Sequence, residues 1–263
     1  MDFKVIKDDE IRQQVSQRYA KVATGGGGCC GPSTGCCSDP FGHPEVSEKL
    51  GYSGSDISTV PEGANMGLGC GNPQALAHLK PGETVLDLGS GGGFDCFLAA
   101  RQVGAEGRVI GVDMTPEMIS KARKNAMSGG FSNVEFRLGE IEHLPVADNS
   151  VDVIISNCVI NLSPDKAAVF AEAYRALRSN GRIAVSDVVA LKPLPEKMQN
   201  SKEAYCDCVA GAISVGELEN ILINQGFDSV QVELKSESAE FIKSWFPEAE
   251  KYVCSASIKA VKR

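Results

Sequence analysis

The chain has 263 residues, 43% of them hydrophobic and 23% charged, so it is long enough for one large folded domain with appendages. The formal net charge of −8 and the pI of about 5.0 argue against nucleic acid or an anionic membrane as a partner, because both need a basic surface. No run of 18 apolar residues is present, and the charged N-terminal stretch lacks the apolar core of a signal peptide. We therefore expect a cytoplasmic protein with no membrane span.

The first part of the chain is predicted to be an appendage to a folded core. Apolar side chains recur at helical spacing over 8–23, and four glycines end that helix. A loop of Cys, Gly, Pro and Ser follows over 29–44. A short helix is predicted within 45–60, and the glycine-rich loop at 61–73 indicates backbone packed closely against a ligand.

From residue 75 apolar strands alternate with amphipathic helices, which favours a mostly parallel sheet with helices on both faces. Thr115 is predicted to cap one of these helices, with Pro116 at its first position. Gly181 is predicted to end the last of them. The predicted strands cover 84–89, 108–113, 133–139, 151–156 and 182–189, and the predicted helices cover 94–104, 115–129 and 165–181.

After residue 190 the alternation stops. An irregular helical stretch precedes a capped helix at 214–226, and two late strands at 230–235 and 252–263 are predicted to close the sheet edge, one of them antiparallel. The expected fold class is thus α/β and Rossmann-like, with the N-terminal helix and Cys-rich loop as an appendage. The predicted organisation is 1–74 for that appendage, 75–190 for a cofactor-binding core, and 191–263 for roof helices and closing strands of the same domain.

The segment DLGSGGG at 87–93 ends the first predicted strand and opens a helix, which is where open α/β sheets bind ligands. Its glycines let the backbone approach a ligand, and the helix N-terminus offers free N–H groups. A dinucleotide fingerprint would need glycine where Phe94 stands, and Asp87 suits a ligand ammonium better than a pyrophosphate. Asp113 ends the second strand, where an acid can accept from both ribose hydroxyls.

With GVDMT after the second strand and GEIEHLP after the third, this segment resembles the class I S-adenosylmethionine (SAM)-dependent methyltransferases. The resemblance implies SAM as cofactor, with the adenine held by the backbone N–H of Ile141 and the carboxylate of Glu142. Asn157, just after the fourth strand, would touch the methionine part. The implied cofactor-binding residues are Asp87, Gly89, Ser90, Gly91, Asp113, Met114, Ile141, Glu142 and Asn157.

Ten cysteines stand against only three histidines, which disfavours a Cys/His zinc site, and a reducing compartment disfavours a disulfide framework. In this fold Cys158, within SNCVINL after the fourth strand, faces the transferred methyl group, where a thiol suits a thiophilic substrate. Cys208 from the roof segment and Cys70 from the glycine-rich loop are expected to join it. Trivalent arsenic with three sulfur ligands keeps a lone pair that can attack a sulfonium methyl group.

The segments GLGCGNP, SNCVINL and CVAGAI resemble the arsenite methyltransferases of prokaryotic type, with similarity across nearly the whole chain. The resemblance implies that Cys158 and Cys208 hold As(III), with Cys70 as a third thiol and another from the N-terminal loop, predicted to be a mobile lid. Arsenite or its thiol conjugate would be the substrate, and a thiol reductant of the glutathione or thioredoxin type a co-substrate. The N-terminal cluster comprises Cys29, Cys30, Cys36 and Cys37, of which the second pair is favoured.

Two other functions fit the same residues. One is a C- or O-methyltransferase on a small organic acceptor such as a quinone, which would not depend on the thiols. The other is a thiol-based metalloid-binding protein on a catalytically inactive methyltransferase scaffold. Cys96 and Cys254 are predicted to be core residues, and Cys206 is predicted to face away from the side on which Cys208 lies.

Overall fold

A computed structural model describes residues 3–25 and 44–263. One sheet in this part of the chain has the strand order β3-β2-β1-β4-β5-β7-β6. The strands up to β5 pair in parallel, whereas β7 is antiparallel to both β5 and β6, so the predicted fold class is confirmed. The strands are β1 (Thr84–Leu88), β2 (Arg108–Asp113), β3 (Val134–Leu138), β4 (Val151–Asn157), β5 (Leu177–Ala190), β6 (Phe227–Lys235) and β7 (Val253–Lys262).

Helices pack around this sheet, and among the described helices none is both long and apolar enough to cross a membrane. Within the described residues, three short 3₁₀ turns lie at Ile160–Leu162, Ser236–Ser238 and Ala249–Lys251. The α-helices are α1 (Phe3–Ala23), α2 (Pro44–Lys49), α3 (Gly54–Ser58), α4 (Pro73–Ala77), α5 (Phe94–Val103), α6 (Pro116–Gly129), α7 (Lys166–Ala176), α8 (Glu196–Gln199), α9 (Lys202–Cys206), α10 (Val215–Asn224) and α11 (Ala239–Ile242).

The strand β4 shows why the parallel strands are continuous apolar runs in the sequence. Ile154 packs in one apolar cluster with Phe170 of α7, and the next residue, Ile155, packs in a second cluster with Phe97 of α5. Successive side chains of a strand point to opposite faces, so both faces of this sheet are buried. Burying each such side chain stabilises the fold by about 1.5–3 kcal/mol.

The prediction that Gly181 ends a helix was wrong. The helix α7 ends at Ala176, and the following residues belong to β5, whose Leu177 pairs with Val151 of β4. The buried ammonium of Lys262 on β7 donates to the carbonyl of Leu177 at 2.7 Å and to that of Tyr174. These bonds satisfy carbonyls at the helix end from a strand far along the chain, which no local pattern indicates.

The helix predicted over 8–23 is part of α1, which begins earlier, at Phe3. Its Val15 is fully buried in a cluster with residues from α8, α9 and the segment after β4. The strands after residue 190 complete the same sheet as the core. The division at 74 and 190 remains a prediction.

This core can be tested by comparing the effect on stability of truncating two large apolar side chains, one buried and one exposed. Phe170→Ala should lower the free energy of unfolding by about 3–5 kcal/mol, because it leaves a cavity against the sheet. Met127→Ala is the control, since Met127 is 84% exposed and should change stability by less than about 0.5 kcal/mol. Urea denaturation measures both, and equal effects would contradict the core described above.

Candidate active site

A cleft opens at the carboxyl ends of β1, β2 and β4, where the strand order reverses between β1 and β4. Its empty volume is about 1220 Å³ with the mouth included, which accommodates a nucleoside-sized ligand. Arg12, Val15 and Tyr19 of α1 form part of its wall. The sequence-predicted residues that line it are Asp87, Gly89, Ser90, Gly91, Asp113, Met114, Ile141, Glu142, Asn157, Cys158 and Cys208.

The loop after β1 needs glycine where it approaches its neighbours. Gly89 has a φ of 69°, and a Cβ atom there would lie 2.3 Å from the side chain of Val159. Gly93, with a φ of 94°, begins α5, and a Cβ atom there would lie 2.7 Å from Phe97. Left-handed backbone is easily adopted only by glycine, so this loop can take its path along the cleft floor.

Asp113 lies at the end of β2, and its carboxylate is already engaged by backbone. It accepts from Gly91 N at 3.0 Å and from Thr115 N at 2.8 Å. Burial raises the pKa of Asp113, while these N–H groups act in the opposite direction. Thr115 precedes α6 as predicted but makes no side-chain capping bond, because α6 begins beside this carboxylate. The acid therefore joins the glycine loop to the start of α6 at the cleft.

Glu142 lies in the loop after β3, at the end of the cleft covered by α1. Its Oε1 accepts from Ser163 Oγ at 2.7 Å and from Arg12 Nη2 at 3.3 Å. Ile141 beside it is buried and also lines the cleft. One oxygen of the acid predicted to bind adenine is thus occupied by donors of the protein itself.

Two buried carboxylates, Asp87 and Asp95, line the floor beside the glycine loop. Asp87 accepts from the thiol of Cys96 at 3.2 Å, and Asp95 accepts from Tyr52 Oη at 2.8 Å. Burial raises the pKa of Asp95 to about 6, and burial together with the charge of Asp95 raises the pKa of Asp87 well above its usual value. A cation bound here would favour the ionised form of both. Asp95 was not predicted from the sequence, although an acid in the first turn after a glycine loop was an available signal.

Three buried thiols meet at the other side of Asn157. Cys70 Sγ, Cys158 Sγ and a carboxylate oxygen of Asp187 all lie within 4.8 Å of one another. The thiol of Cys208 donates to the carbonyl of Cys158 at 2.9 Å. The structure therefore brings together Cys70, Cys158 and Cys208 from three distant segments.

These thiols are neutral in the free protein. Burial raises the pKa of Cys158 well above its usual value and raises that of Cys70. A hydrogen bond with Cys158 lowers the pKa of Cys208, but burial and neighbouring acidic groups together raise it to about 11. Thiolate then forms only when an electrophile displaces the proton.

Of the three cysteines that line the cleft, Cys158 and Cys208 have left-handed backbone, with φ of 60° and 62°. For residues other than glycine this conformation costs about 1–3 kcal/mol and is concentrated at functional sites. The backbone N–H of Cys158 donates to Ser186 O at 2.8 Å and that of Cys208 to Tyr205 O at 3.0 Å. These bonds hold the backbone of the two strained residues in place.

Asp187 was not anticipated from the sequence. Its carboxylate accepts from Ile160 N at 2.8 Å, Asn161 Nδ2 at 2.9 Å and Val188 N at 2.7 Å. Burial raises its pKa to about 6, so it is ionised at neutral pH. A charged residue inside the buried strand β5 was the signal, since an unpaired charge is rarely placed there without a role.

The remaining cysteines are distributed as follows. Cys96 and Cys254 are buried, in agreement with their prediction as core residues, although Cys96 also donates to Asp87. Cys206 is buried and also lines the cleft, near Arg18 and Asp207. The N-terminal cluster of Cys29, Cys30, Cys36 and Cys37 lies outside the described residues.

Three buried polar atoms of residues that line the cleft, Ser90 Oγ, Asn65 Nδ2 and Arg12 Nε, have no hydrogen-bond partner within the part of the chain that the structure describes. Because buried polar groups are costly when unpaired, they indicate a polar ligand. Together with the glycine-lined loop and the two acids, they fit SAM, which carries an ammonium group and ribose hydroxyls. The sheet and this cleft define a class I SAM-dependent methyltransferase.

Comparisons with known proteins narrow this class. A family described as a methyltransferase domain matches residues 79–226. The chain is 53% identical over 263 residues to an arsenite methyltransferase of Halobacterium salinarum, covering 97% of this chain and 67% of that protein. It is 39% identical over 225 residues to one of Aquipseudomonas alcaligenes, covering 82% of this chain and 62% of that protein.

A solved structure agrees with these relatives. An arsenic(III) S-adenosylmethionine methyltransferase from Chlamydomonas reinhardtii is similar with a TM-score of 0.62 and 32% identity, over 84% of this chain and 74% of that chain. The chain belongs to the arsenite methyltransferase family, as the sequence resemblance implied. It spans about two thirds of the length of the two curated relatives named above.

The acids of the cleft floor predict a pH dependence for cofactor binding. A cationic ligand prefers ionised Asp95, so below the pKa of about 6 its binding must first remove a proton. Affinity for S-adenosylhomocysteine, which keeps the ammonium group, should be nearly constant between about pH 7 and 8 and fall by up to about tenfold per pH unit below 6.

Calorimetry across this pH range provides the measurement. Asp95→Asn should weaken binding at pH 8 and flatten the profile. Asp207→Asn is the matched control, because burial also raises the pKa of Asp207 to about 6, but it pairs with Arg18. A profile flattened by the control variant alone would assign the titration to Asp207 instead.

Proposed function

We propose that this protein transfers the methyl group of SAM to trivalent arsenic held on cysteine thiolates. The observation that carries the proposal is the meeting of Cys70, Cys158 and Cys208 beside a cleft that fits SAM. Three sulfur atoms suit a thiophilic element, whereas an amine or hydroxyl acceptor would gain little from them. The arsenite methyltransferases to which the chain is similar support the same substrate.

Substrate capture is an exchange of oxygen for sulfur ligands. As each thiol sulfur bonds to arsenic, an As–O bond breaks, and the thiol proton leaves with the hydroxide as water. Free arsenite supplies the hydroxide itself, and a thiol conjugate exchanges one sulfur for another. The exchange has no net proton release, which suits thiols that burial keeps neutral.

For the methyl step, bound SAM supplies an electrophilic methyl group on a sulfonium. The thiolates of Cys158 and Cys208 orient arsenic so that its lone pair faces that carbon, at about 3–3.5 Å in a reactive geometry. Tyr19 and Trp245 line the cleft and exclude water. No general base is needed, because the lone pair carries no proton. The ionised carboxylate of Asp187 faces the positive charge that arsenic gains.

Other residues complete the proposal. Asp113 would bind the ribose, Asp87 the ammonium group, and Ile141 with the free oxygen of Glu142 the adenine. Among the N-terminal cysteines, Cys36 and Cys37 remain the proposed source of a further thiol. A thiol reductant of the glutathione or thioredoxin type would return oxidised arsenic or oxidised cysteines to the reactive state.

If Asp113 binds the ribose, removing its carboxylate should weaken cofactor binding. Asp113→Ala should weaken binding of S-adenosylhomocysteine by about 1.5–3 kcal/mol, the range for a hydrogen bond to a charged group. Arsenite affinity should change little, because Asp113 contacts the glycine loop and not the thiols. Calorimetry with each ligand measures the two effects, and an unchanged cofactor affinity would remove Asp113 from the ribose site.

If the thiols of Cys158 and Cys208 hold arsenic, replacing either should strongly reduce the rate of arsenic methylation. Altering groups that only orient metal ligands costs about 10–100-fold, so Cys158→Ser and Cys208→Ser should each slow arsenic methylation by at least about 100-fold. Cys254→Ser is the matched control, being a buried thiol on β7 away from the cleft. The assay supplies SAM, arsenite and thiol, and mass spectrometry identifies the arsenic species.

The same assay separates the rival functions. A C- or O-methyltransferase would retain its activity on an organic acceptor in both serine variants. A metalloid-binding protein without catalysis would bind arsenite and consume no SAM. Full methylation by Cys208→Ser would overturn the proposed site.

A further inference from the structure

The side chain of Asn157 connects the acidic floor of the cleft to the loop that carries Cys70. Its Nδ2 donates to Gly71 O at 2.8 Å and to Tyr52 Oη at 3.0 Å, and it lies 3.4 Å from Asp95 Oδ2. Its Oδ1 accepts from Cys70 N at 3.0 Å. Both polar atoms of the amide are therefore engaged, with the acid on one side and the thiol loop on the other.

The loop fits this amide closely. Gly69 has a φ of 132°, and a Cβ atom there would lie 2.8 Å from the amide of Asn157. On the other side, Ser255 Oγ donates to Cys70 O at 2.7 Å. The peptide groups of Cys70 are thus fixed by two side chains, of which only Asn157 reaches the cleft.

Asn157 also stands directly before Cys158 in the chain. The amide that holds Cys70 and the backbone that turns Cys158 into its left-handed conformation belong to adjacent residues. A shift of this side chain would therefore move the two sulfurs relative to each other. From the sequence, Asn157 was expected only to contact the methionine part of the cofactor.

The state of the acids acts on this amide. Without a cation, the buried carboxylates of Asp87 and Asp95 repel each other, and protonation relieves the repulsion. A bound ligand ammonium group offsets this repulsion and holds both carboxylates in place, and an ionised acceptor forms a shorter and stronger hydrogen bond than a neutral one. An ionised Asp95 attracts the Nδ2 side of Asn157, which keeps Oδ1 directed at Cys70 N.

We propose that Asn157 is a positioning residue that couples occupancy of the cofactor cleft to capture of As(III) by Cys70 and Cys158. Bound cofactor holds the amide in the orientation that places the Cys70 loop against Cys158, so arsenite binds more tightly to the loaded protein. Because coupling is reciprocal, arsenite also strengthens cofactor binding. This inference rests on the proposed function and adds that each of the two ligands strengthens the binding of the other.

The test is a titration of the full-length protein with sodium arsenite, with and without saturating S-adenosylhomocysteine, which cannot transfer a methyl group. A phosphine reductant keeps the thiols reduced without competing through sulfur. Trp245 is the single tryptophan of the chain and lines the cleft, so its fluorescence reports arsenite binding there. In the wild type the cofactor analogue should lower the arsenite Kd by about fivefold or more.

Three variants separate positioning from simple packing. Asn157→Ala should reduce the ratio of the two Kd values to about one, and Tyr52→Phe, which removes one partner of the amide, should lower the ratio while preserving the packing. Ser255→Ala is the matched control: it loosens the same loop away from the acids, so both Kd values should rise and their ratio should persist.

The outcomes distinguish this inference from the proposed function. Arsenite binding with a wild-type ratio of one would overturn the coupling and leave arsenic as the substrate. A ratio that survives in both Asn157→Ala and Tyr52→Phe, or disappears in Ser255→Ala, would overturn the role of Asn157. If arsenite binds neither with nor without S-adenosylhomocysteine, both proposals are overturned.

Discussion

The position of β4 between β1 and β5 is the constraint on which the whole site depends. The carboxyl ends of parallel neighbours open on one edge, so the glycine loop after β1 and the residues after β4 meet there. The ladder extends one residue beyond β4, where Cys158 N donates to Ser186 O. That bond brings Cys158 beside Asp187, the next residue of β5. Backbone pairing between strands therefore suffices to bring Cys158, Asp187 and the glycine loop to the same edge of the sheet.

Much of this arrangement could be predicted because its signals are local or topological. Strands buried on both faces leave continuous apolar runs, and the glycine loop after β1 leaves a compact motif. Once those two are accepted, the ends of parallel strands must share an edge, which places Cys158 at the cleft. Its meeting with thiols from the loop before β1 and from the roof was expected from the family resemblance and not from the topology. One antiparallel strand among the two late strands was also predicted, because the alternation with helices stops before them, and the structure shows that this strand is β7.

What could not be predicted rests on contacts between distant residues. The end of α7 depends on Lys262, whose ammonium reaches carbonyls more than 80 residues away in sequence. The bonds of Asn157 to Cys70 and Gly71 depend on the loop path before β1, which has no periodicity. No local pattern predicts the left-handed backbone of Cys158 either, because the bond that holds its N–H comes from the distant Ser186.

The distribution of charge in the cleft follows from the same assembly and bears on the proposed reaction. Acids at the floor attract a cation, whereas the thiols are neutral, and in the proposed capture step the exchange of their protons for bonds to arsenic would add no charge beside Asp187. In the proposed reaction, methyl transfer would move one positive charge from the sulfonium to arsenic, away from Asp87 and Asp95 and toward Asp187. The buried carboxylate of Asp187 would lower the cost of bringing this charge to arsenic in a medium of low dielectric, whereas Asp87 and Asp95 would stay matched by the ammonium group of the cofactor. The placement of Asp187 therefore favours the transfer itself rather than the binding of either ligand alone.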